Sequence, residues 1–525
     1  MKTARRVTAS HRRLSRANAA RLYHLAWVVA CAAGRRQSLP GRAAAPLRQG
    51  GRDAGRIIAV SSHHPVPMAL PLDVVILAAG QGKRMHSARP KVLHRLAGKP
   101  LVSHVLRTVR ELSPRNIAVV VGHGADAVER ELTASGVSFV RQEPPRGTGD
   151  AVRVALDVLP ADGVALVGLG DVPLVPTESL TSIAALAQDG GVGVLTARVR
   201  KPFGLGRVIR GEGGRVQAIV EERDATPQQR EVDEINTGFI AAPTTLLKRW
   251  VAQLTPHNAQ DEYYLTDIVG MAVAEGVNVD AHLVGDEASV LGINDRAQLA
   301  ALERIVQRRA ATRLMLEGTS IVDPARIDIR GELTCGRDVT IDVGCVFEGT
   351  VALDDGVSVG PYCVLRDVSV GAATRVEAFS HFESAVIGRN CRIGPYARLR
   401  PGTKLAEDVH IGNFVEVKAS TLGAGSKANH LAYVGDAVLG SRVNYGAGSI
   451  TANYDGANKH QTVLGDDVHV GSNCVLVAPI TIGAGATIGG GSTIVHEAPA
   501  GQLTVARAKQ VTVARWQRPR KKPKA

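Results

Sequence analysis

The segment LAAGQGKRM (77–85) has the composition of a loop that binds phosphate. It directly follows the apolar run DVVI; two glycines let backbone amides approach an anion, and Lys83 and Arg84 add positive charge. A dinucleotide-binding fingerprint would need a third glycine where Met85 stands, and a P-loop would need Gly-Lys-Ser/Thr after four spacer residues. The loop therefore predicts a phosphate site of a different kind from these two.

A second set of candidates lies in the polar stretch 423–463, which is rich in His, Asn, Tyr and Lys. Histidine has a pKa near neutrality and is the side chain best suited to act as a general base at physiological pH. His430 lies in this stretch and is a candidate for that role.

The net charge of +14 is concentrated at the two ends of the 525-residue chain. Residues 1–67 contribute +12 and residues 507–525 contribute +8, which leaves −6 for the rest. This distribution favours solvated basic tails, and we expect no nucleic-acid partner. We interpret 1–67 as a basic extension that is disordered or results from a misplaced start, since Met68 directly precedes the first strand-like run.

Cysteine usage and the longest apolar run both bear on location. Six cysteines without a CxxC pair are typical of the reducing cytosol, so we expect a cytoplasmic protein. The apolar run 22–33 has only about twelve residues, which is too short to span a bilayer, and we expect no membrane span.

Residues 72–295 alternate strand-like and helical runs, which predicts βαβ units around a mostly parallel sheet. The predicted strands are 73–80, 117–122, 163–174 and 192–199, and the predicted helices are 100–112 and 149–159. Such sheets bind ligands beyond the carboxyl ends of their strands, where the loop 77–85 would lie. The following stretch, 295–317, contains no Gly or Pro and has apolar residues at helical spacing, so we expect a connecting helix.

After this helix, aliphatic or Cys residues recur every six positions in three successive registers. The registers are Ile321, Ile327, Leu333, Val339, Cys345, Val351, Val357 and Cys363; then Ile387, Ile393, Leu399, Leu405, Ile411 and Val417; then Leu464, Val470, Leu476, Ile482, Ile488 and Ile494. A period of six is the signature of a parallel β-helix, in which each hexapeptide forms one flat face. We expect about nine or ten coils at the usual strand spacing. The register falters at 423–463, and such breaks are usually loops on a binding face.

The motifs resemble those of a known family. LAAGQGKRM is followed by PKVLH (90–94), GTGDA (147–151), GDVPL (170–174), IVEE (219–222) and INTG (235–238), as in the sugar-nucleotide pyrophosphorylases. LRPG (399–402), VEVK (415–418), SKANHLAYVGD (426–436) and NYDGANK (453–459) complete a resemblance to the bifunctional N-acetylglucosamine-1-phosphate uridyltransferase and glucosamine-1-phosphate acetyltransferase family. It covers about 72–510 and departs at Lys83, Leu169 and Gly490, where Thr, an aromatic residue and Ala are commoner.

The resemblance implies the following organisation. An α/β nucleotidyltransferase domain with a Rossmann-like mixed sheet (68–295) would be joined by a linker helix (296–318) to an all-β left-handed parallel β-helix (319–506), which ends in the basic tail 507–525.

The resemblance also implies a first reaction, the transfer of a uridylyl group from UTP to N-acetylglucosamine-1-phosphate with release of diphosphate. Arg84 and Lys91 would neutralise phosphate charge, and Asp171 and Asn294 would hold a Mg²⁺. The other UTP contacts would be Leu77, Ala78, Ala79, Gly80, Gln142, Gly147 and Thr148, and those to N-acetylglucosamine would be Gly206, Glu221, Asn236 and Asn294.

The second implied reaction is acetylation of glucosamine-1-phosphate by acetyl-CoA, with His430 as the general base and Glu416 orienting it. Glucosamine-1-phosphate would bind Arg400, Lys418, Tyr433 and Asn444, and acetyl-CoA would bind Ala447, Asn453, Tyr454, Ser472, Gly490 and Arg507. Residues so scattered along a rod rarely make one pocket within one chain, and the resemblance to hexapeptide acyltransferases implies a homotrimer with sites between adjacent rods. The two reactions in series would make UDP-N-acetylglucosamine, a donor for peptidoglycan and lipopolysaccharide sugars.

Two alternatives remain open from the sequence. The β-helix could serve only to oligomerise a single-activity nucleotidyltransferase, against which His430, Asn453 and Tyr454 argue. The chain could instead resemble subunits of translation-factor exchange complexes, which combine similar domains as protein-interaction modules; the presence of Arg84 and Asp171 argues against this.

Overall fold

The computed structural model describes residues 70–521. The predicted basic extension 1–67 and the last four residues of the basic tail lie outside the described residues.

The first half of the described chain is built on a nine-stranded mixed sheet in the order β11-β7-β10-β6-β1-β4-β5, with β8 pairing β10 and β9. The strands are β1 (Leu72–Leu77), β2 (Arg95–Leu96), β3 (Lys99–Pro100), β4 (Asn116–Val121), β5 (Ser138–Arg141), β6 (Val164–Leu169), β7 (Val192–Arg198), β8 (Arg207–Arg210), β9 (Val216–Val220), β10 (Glu234–Pro243) and β11 (Val279–Val284). Strands β2 and β3 form a separate ribbon. The prediction of a mostly parallel sheet is confirmed, with β10 running antiparallel to β6 and β7.

Helices cover both faces of this sheet. They are α1 (Leu101–Arg110), α2 (Ala125–Leu132), α3 (Thr148–Leu156), α4 (Thr177–Gln188), α5 (Pro227–Arg230), α6 (Thr244–Val251), α7 (Asp267–Ala274) and α8 (Arg296–Leu316). Strand β1 is apolar apart from Asp73, because Val74 and Ile76 enter one core and Val75 enters the other. Both core clusters therefore lie between the sheet and a layer of helices.

Helix α8 packs against both halves of the chain. Asp295 caps its first turn by accepting from Gln298 N at 2.8 Å. Leu302 belongs to a small core of the first half with Met85, Leu96, Leu101 and Ile293. About two and a half to three helical turns further on, Ala311 and Leu314 are part of the core of the β-helix. The predicted connecting helix is thus a shared structural element.

The second half is a left-handed parallel β-helix with three faces. The first face has eleven strands, one or two more than the predicted number of coils: Ser320–Ile321, Thr340–Ile341, Ser358–Val359, Arg375–Val376, Arg392–Ile393, His410–Asn413, Lys427–His430, Asn444–Tyr445, His469–Val470, Thr487–Ile488 and Leu503–Thr504. Three long strands cross the second and third faces: Asp328–Cys335, Val346–Leu353 and Val364–Val370. The second face continues with His381–Glu383, Arg398–Leu399, Glu416–Lys418, Tyr433–Gly435, Ile450–Ala452, Val475–Val477 and Thr493–Ile494. The third continues with Val386–Ile387, Lys404–Leu405, Thr421–Leu422, Ala437–Leu439, Thr462–Leu464 and Ile480–Ile482.

The predicted six-residue registers are confirmed, since all their members except Ile321 are buried in the interior of the β-helix. The break predicted at 423–463 is narrower in the structure. Strands continue through most of it, and one coil, from Asn444 to its partner His469, is enlarged by a loop after Ala452. The aliphatic signal fades earlier because the interior positions there are held by small or polar residues such as Ser426, Ala428 and Thr451.

The five cysteines of the described chain are all free thiols, and four of them are buried in the β-helix. Burial raises the pKa of Cys345 to about 11, so this thiol is protonated and acts as an apolar core residue. A search of the described residues found no helix that is long and apolar enough to cross a membrane.

Candidate functional sites

The first candidate site lies at the carboxyl ends of neighbouring strands of the nine-stranded sheet. Leu77 ends β1, and its carbonyl accepts from Gly170 N, just after β6, at 3.0 Å. The carbonyl of Ala79 accepts from His123 N, just after β4, at 3.3 Å. The loop 77–85 therefore begins between the ends of β6 and β4, the place where open α/β sheets bind ligands.

Lys91, Asp171 and Asn294 form a compact polar group at this edge. The ammonium of Lys91 donates to Asp171 Oδ2 and, at 3.2 Å, to Asn294 Oδ1. Lys91 opens the short helix Lys91–Leu93, Asp171 follows β6, and Asn294 immediately precedes the cap of α8. The fold thus joins three residues that are far apart in the sequence.

This donor set fits a hard divalent cation. The Asp171 carboxylate and the Asn294 amide oxygen converge on one cationic centre, and Mg²⁺ prefers oxygen ligands of these kinds. Nowhere in the described part of the chain do three or more His, Cys, Asp or Glu side chains cluster as a metal site. The protein therefore offers few metal ligands, and substrate phosphates would have to supply others.

The glycine of the loop that stands closest to Lys91 is required by the packing. Gly82 has φ +62°, and a Cβ there would lie 2.7 Å from Lys91 Cβ. Any other residue would strain the turn and displace Lys91 from Asp171.

Arg84 lies in the next turn with an exposed side chain, which forms no hydrogen bond or ion pair within the described residues. The structure therefore does not join Arg84 to Lys91.

Gln142, Gly147 and Thr148 lie together where β5 leads into α3. The Gln142 side-chain amide donates to Gly147 O at 3.1 Å and to Asp150 Oδ2 at 2.9 Å. Thr148 Oγ1 accepts from Leu265 N at 3.0 Å. Three of the predicted UTP contacts thus form one wall of the site.

This wall adjoins the loop that opens the site. A Cβ on Gly122, at the end of β4, would lie 3.1 Å from Ala79 O and 3.3 Å from Gln142 O. The predicted UTP residues on both sides are therefore neighbours across one glycine. Gly80 is exposed, and no atom lies within 4 Å of the position of a Cβ there, which leaves open space above the loop.

The predicted sugar residues Gly206, Glu221 and Asn236 meet where β8, β9 and β10 adjoin. Asn236 N donates to Gly206 O at 2.9 Å, and a Cβ on Gly206 would lie 3.3 Å from Glu221 Oε1. Burial raises the pKa of Glu221, and neighbouring carboxylates raise it further, although a hydrogen bond from Thr266 at 3.1 Å opposes this. The fourth predicted sugar residue, Asn294, lies with Lys91 instead.

The second half carries polar side chains along two edges of the β-helix. The histidine edge, between the first and second faces, is the column Asn413, His430, Ala447, Ser472 and Gly490. Each is linked to the next coil by backbone hydrogen bonds, such as Gly448 N to His430 O at 3.3 Å and Asn473 N to Ala447 O at 2.8 Å. The cationic edge, between the second and third faces, consists of Arg400, Lys418, Asp436, Asn453 and Lys459.

His430 is exposed, and its ring is oriented by Asn413. Nδ1 of His430 lies 3.1 Å from Asn413 Oδ1. Because an amide oxygen only accepts, Nδ1 carries the hydrogen and Nε2 is the free proton acceptor. Glu416, which was expected to orient the imidazole, instead accepts from Arg400 at 2.8 Å, since the parallel register places it next to the arginines of the preceding coil.

The acetyl-CoA residues predicted on the histidine edge are brought together. Gly491 N donates to Ser472 O at 2.8 Å, and Arg507 donates to Gly490 O at 2.9 Å. Ala447 lies one coil below Ser472.

At the cationic edge, Lys418 Nζ lies 3.5 Å from Asp436 Oδ2, and Asn453 donates to the same carboxylate. Lys459 lies beside Lys418, and the hydrogen bond with Lys418, together with the charge of that side chain, lowers the pKa of Lys459. The sequence did not single out Lys459, although it ends the quoted motif NYDGANK. It reaches Lys418 because the loop after Ala452 folds back, with Tyr454 and Lys459 pairing as an antiparallel bridge.

One chain does not bring all the predicted acetyl-transfer residues together. Asn444 lies on the first face, which is opposite the cationic edge with Arg400 and Lys418. Tyr454 is exposed in the loop, with its hydroxyl donating to Gly456 O at 2.6 Å. Tyr433 lies on the second face, between the two edges.

Comparisons with known proteins agree with both halves. Residues 74–270 match the MobA-like NTP transferase domain, residues 329–419 match the C-terminal domain of GMPPB, and residues 461–496 match the bacterial transferase hexapeptide repeats. The chain is 56% identical over 448 residues to the bifunctional protein GlmU of Janthinobacterium sp. (strain Marseille) and to that of Azoarcus sp. (strain BH72). Each match covers 85% of this chain and 99% of the relative.

The chain belongs to the GlmU family of bifunctional proteins. Its first half is the uridyltransferase and its second half the acetyltransferase of UDP-N-acetylglucosamine synthesis. This excludes both alternatives left open by the sequence, the single-activity enzyme and the non-catalytic interaction module.

Proposed function

We propose that uridylyl transfer takes place at the carboxyl ends of β1, β4 and β6, around Lys91. A phosphate oxygen of N-acetylglucosamine-1-phosphate attacks the α-phosphorus of UTP, and the bond to the bridging oxygen of diphosphate breaks. The attacking group is already an anion, so the reaction needs charge neutralisation and positioning rather than a general base. The convergence of Lys91, Asp171 and Asn294 supports this assignment.

Asp171 and Asn294 would hold a Mg²⁺, which supplies charge neutralisation at the phosphates when bound. Lys91 lies against both oxygens and would contact the same phosphates, while Arg84 is exposed and available to them. Chelation is the test: EDTA should abolish diphosphate release and leave acetyl transfer intact. Uridylyl transfer that persists in EDTA would contradict the metal assignment.

For acetyl transfer we propose His430 as the general base. The amine of glucosamine-1-phosphate attacks the thioester carbonyl of acetyl-CoA, Nε2 of His430 takes the amine proton, and the carbon–sulfur bond breaks to release coenzyme A. The hydrogen bond from Nδ1 to Asn413 supports this role, since it leaves Nε2 as the acceptor. His430→Ala should abolish thiol release and leave uridylyl transfer unchanged; retention of acetyl transfer would disprove the role.

We further propose that three copies of the chain assemble in parallel, with acetyl-transfer sites between β-helices. Asn444 and Lys418 lie on opposite sides of one β-helix, so a shared sugar phosphate would need residues from two copies.

An exposed aromatic ladder supports this assembly. Tyr362, Phe379, Tyr396 and Phe414 stack along the histidine edge with ring centroids 5.0–5.3 Å apart, and each is about half exposed. Stacked rings of this extent favour a protein–protein contact. Arg392 lies on the first face and Tyr396 on the histidine edge of the same coil. In a parallel assembly, Arg392 of one copy would therefore lie at the height of Tyr396 of the next copy, where its guanidinium could stack on the ring.

We also propose a cytoplasmic location, with which the free thiols of the described residues agree.

A further inference from the structure

We infer that Asp150 is a positioning residue that sets the preference for UTP over CTP, because it fixes which end of the Gln142 amide faces the nucleotide base. The inference rests on the proposed uridylyl transfer and on the UTP contact that the resemblance implies for Gln142, which we place at the uracil base. It concerns a residue on α3, behind the wall of the site.

Both hydrogens of the Gln142 amide nitrogen are already used. Nε2 donates to Gly147 O at 3.1 Å and to Asp150 Oδ2 at 2.9 Å. Both partners are acceptors only, so turning the amide over would place Oε1 against two oxygens. The amide orientation is therefore determined, and no hydrogen bond within the described residues uses Gln142 Oε1.

The carboxylate that holds Gln142 is itself rigidly held. The Asp150 side chain is only 2% exposed, and its other oxygen accepts from Arg146 at 3.1 Å and from Arg153. Although burial alone would raise the pKa of Asp150, the hydrogen bonds from Gln142 and Arg153 and the charge of Arg146 lower it below the ordinary value. Asp150 is thus an ionised acceptor throughout the neutral range.

A fixed acceptor at Oε1 distinguishes the two pyrimidines. Uracil presents the N3–H donor, which Oε1 can accept. Cytosine presents a lone pair at N3, which would face the lone pairs of Oε1. A site that pairs with one hydrogen-bonding group rejects an analogue lacking it far more strongly than it rejects a change in size.

The experiment compares KM and kcat for UTP and CTP in Asp150→Asn and in the control Asp157→Asn, an exposed carboxylate at the end of the same helix. In Asp150→Asn, Arg146 and Arg153 would hold the amide oxygen Oδ1 of the new side chain, which leaves its Nδ2 donor facing Gln142. This favours the reversed orientation of the Gln142 amide, with Oε1 toward residue 150 and Nε2 toward the base. We expect the UTP-to-CTP ratio of kcat/KM to fall about tenfold or more, mainly through KM, with the control unchanged. Acetyl transfer in the same sample reports on the second half, and thermal melting reports on folding.

The failures are distinguishable. Gln142→Ala should raise KM for UTP; if it does not, the proposed uracil contact itself is wrong. If Gln142→Ala raises KM but folded Asp150→Asn keeps the wild-type ratio, only the role of Asp150 is overturned. Should Asp150→Asn unfold, Asp150→Ser decides in the same way, and unfolding of both variants would make Asp150 a structural residue and overturn the inference.

Discussion

Glu221 illustrates a conflict between stability and binding at the level of one residue. Its pKa is raised by burial, so the ionised form opposes folding at neutral pH, and this cost disappears as the pH falls through the folded pKa toward about 4, the value in an unfolded chain. Glu221→Gln should therefore raise the melting temperature at neutral pH, with the gain shrinking on acidification.

The same substitution should weaken sugar binding. Loss of the carboxylate removes a charged hydrogen-bond acceptor, and KM for N-acetylglucosamine-1-phosphate should rise on the order of tenfold. Glu212→Gln, an exposed change in the same half, is the control for both measurements. A lower melting temperature at neutral pH, or an unchanged KM, would contradict this account of Glu221.

Lys459 gives a second prediction at this scale. Its side-chain nitrogen lies beside that of Lys418, and two adjacent cationic side chains favour the binding of a doubly charged phosphate. Lys459→Met should raise KM for glucosamine-1-phosphate about tenfold with uridylyl transfer unchanged, as measured by coenzyme A release. Lys404→Met, an exposed lysine on the third face, should change neither reaction. Equal effects of the two substitutions would remove Lys459 from the site.

The sequence predicted residues that carry chemistry better than residues that support them. His430 could be identified from its type and its motif, whereas Asn413 could not, because the contact depends on coil length: the two residues are one 17-residue coil apart. Asp150 was hidden for a similar reason, since a carboxylate inside a helix reveals nothing about the amide it holds. The role expected for Glu416 failed because two arginines compete for it.

At the level of secondary-structure elements, the parallel register makes the histidine edge sensitive to one glycine. Gly412 precedes Asn413, and a Cβ on it would lie 1.8 Å from Asn429 O in the next coil. Gly412→Ala should push these coils apart and misplace both Asn413 and His430. We expect acetyl transfer to fall about a hundredfold while uridylyl transfer is unchanged.

Gly285→Ala is the control for this change, since Gly285 is exposed, has no positive φ, and has no atom within 4 Å of the position of its Cβ. It shows whether an added methyl group that meets no neighbouring atom changes acetyl transfer or uridylyl transfer. If acetyl transfer survives in Gly412→Ala, the orientation of His430 does not depend on the register described here.

The period of six predicted the β-helix well because one buried aliphatic residue per face is a strong signal. It failed at 423–452, where the small or polar residues Ser426, Ala428 and Thr451 share the interior with aliphatic residues such as Val434 and Leu439. The periodicity reports which residue type is buried, so a coil with a small or polar interior has the same backbone without the pattern. The sheet of the first half was similarly clear from continuous apolar runs, whereas no sequence pattern predicted the antiparallel direction of β10.

For the whole molecule, the aromatic ladder predicts that assembly and acetyl transfer are lost together. Tyr396→Glu places a charge in the middle of the stack, so it should lower the mass measured by sedimentation to that of a monomer. Acetyl transfer should fall with it, while uridylyl transfer continues.

Phe203→Glu is the matched control, because Phe203 is an exposed aromatic residue of the first half. An assembly that survives Tyr396→Glu would place the contact between copies elsewhere on the β-helix.

Helix α8 also determines how the polypeptide could be divided. A break before Arg296 would leave Met85, Leu96 and Ile293 facing water, whereas a break after Gly318 would strip Ala311 and Leu314 from the bottom coil. Neither fragment can be made whole by choosing the cleavage point, because both need the same twenty-one residues. Two separate enzymes could be obtained from this gene product only if each carried its own copy of that segment.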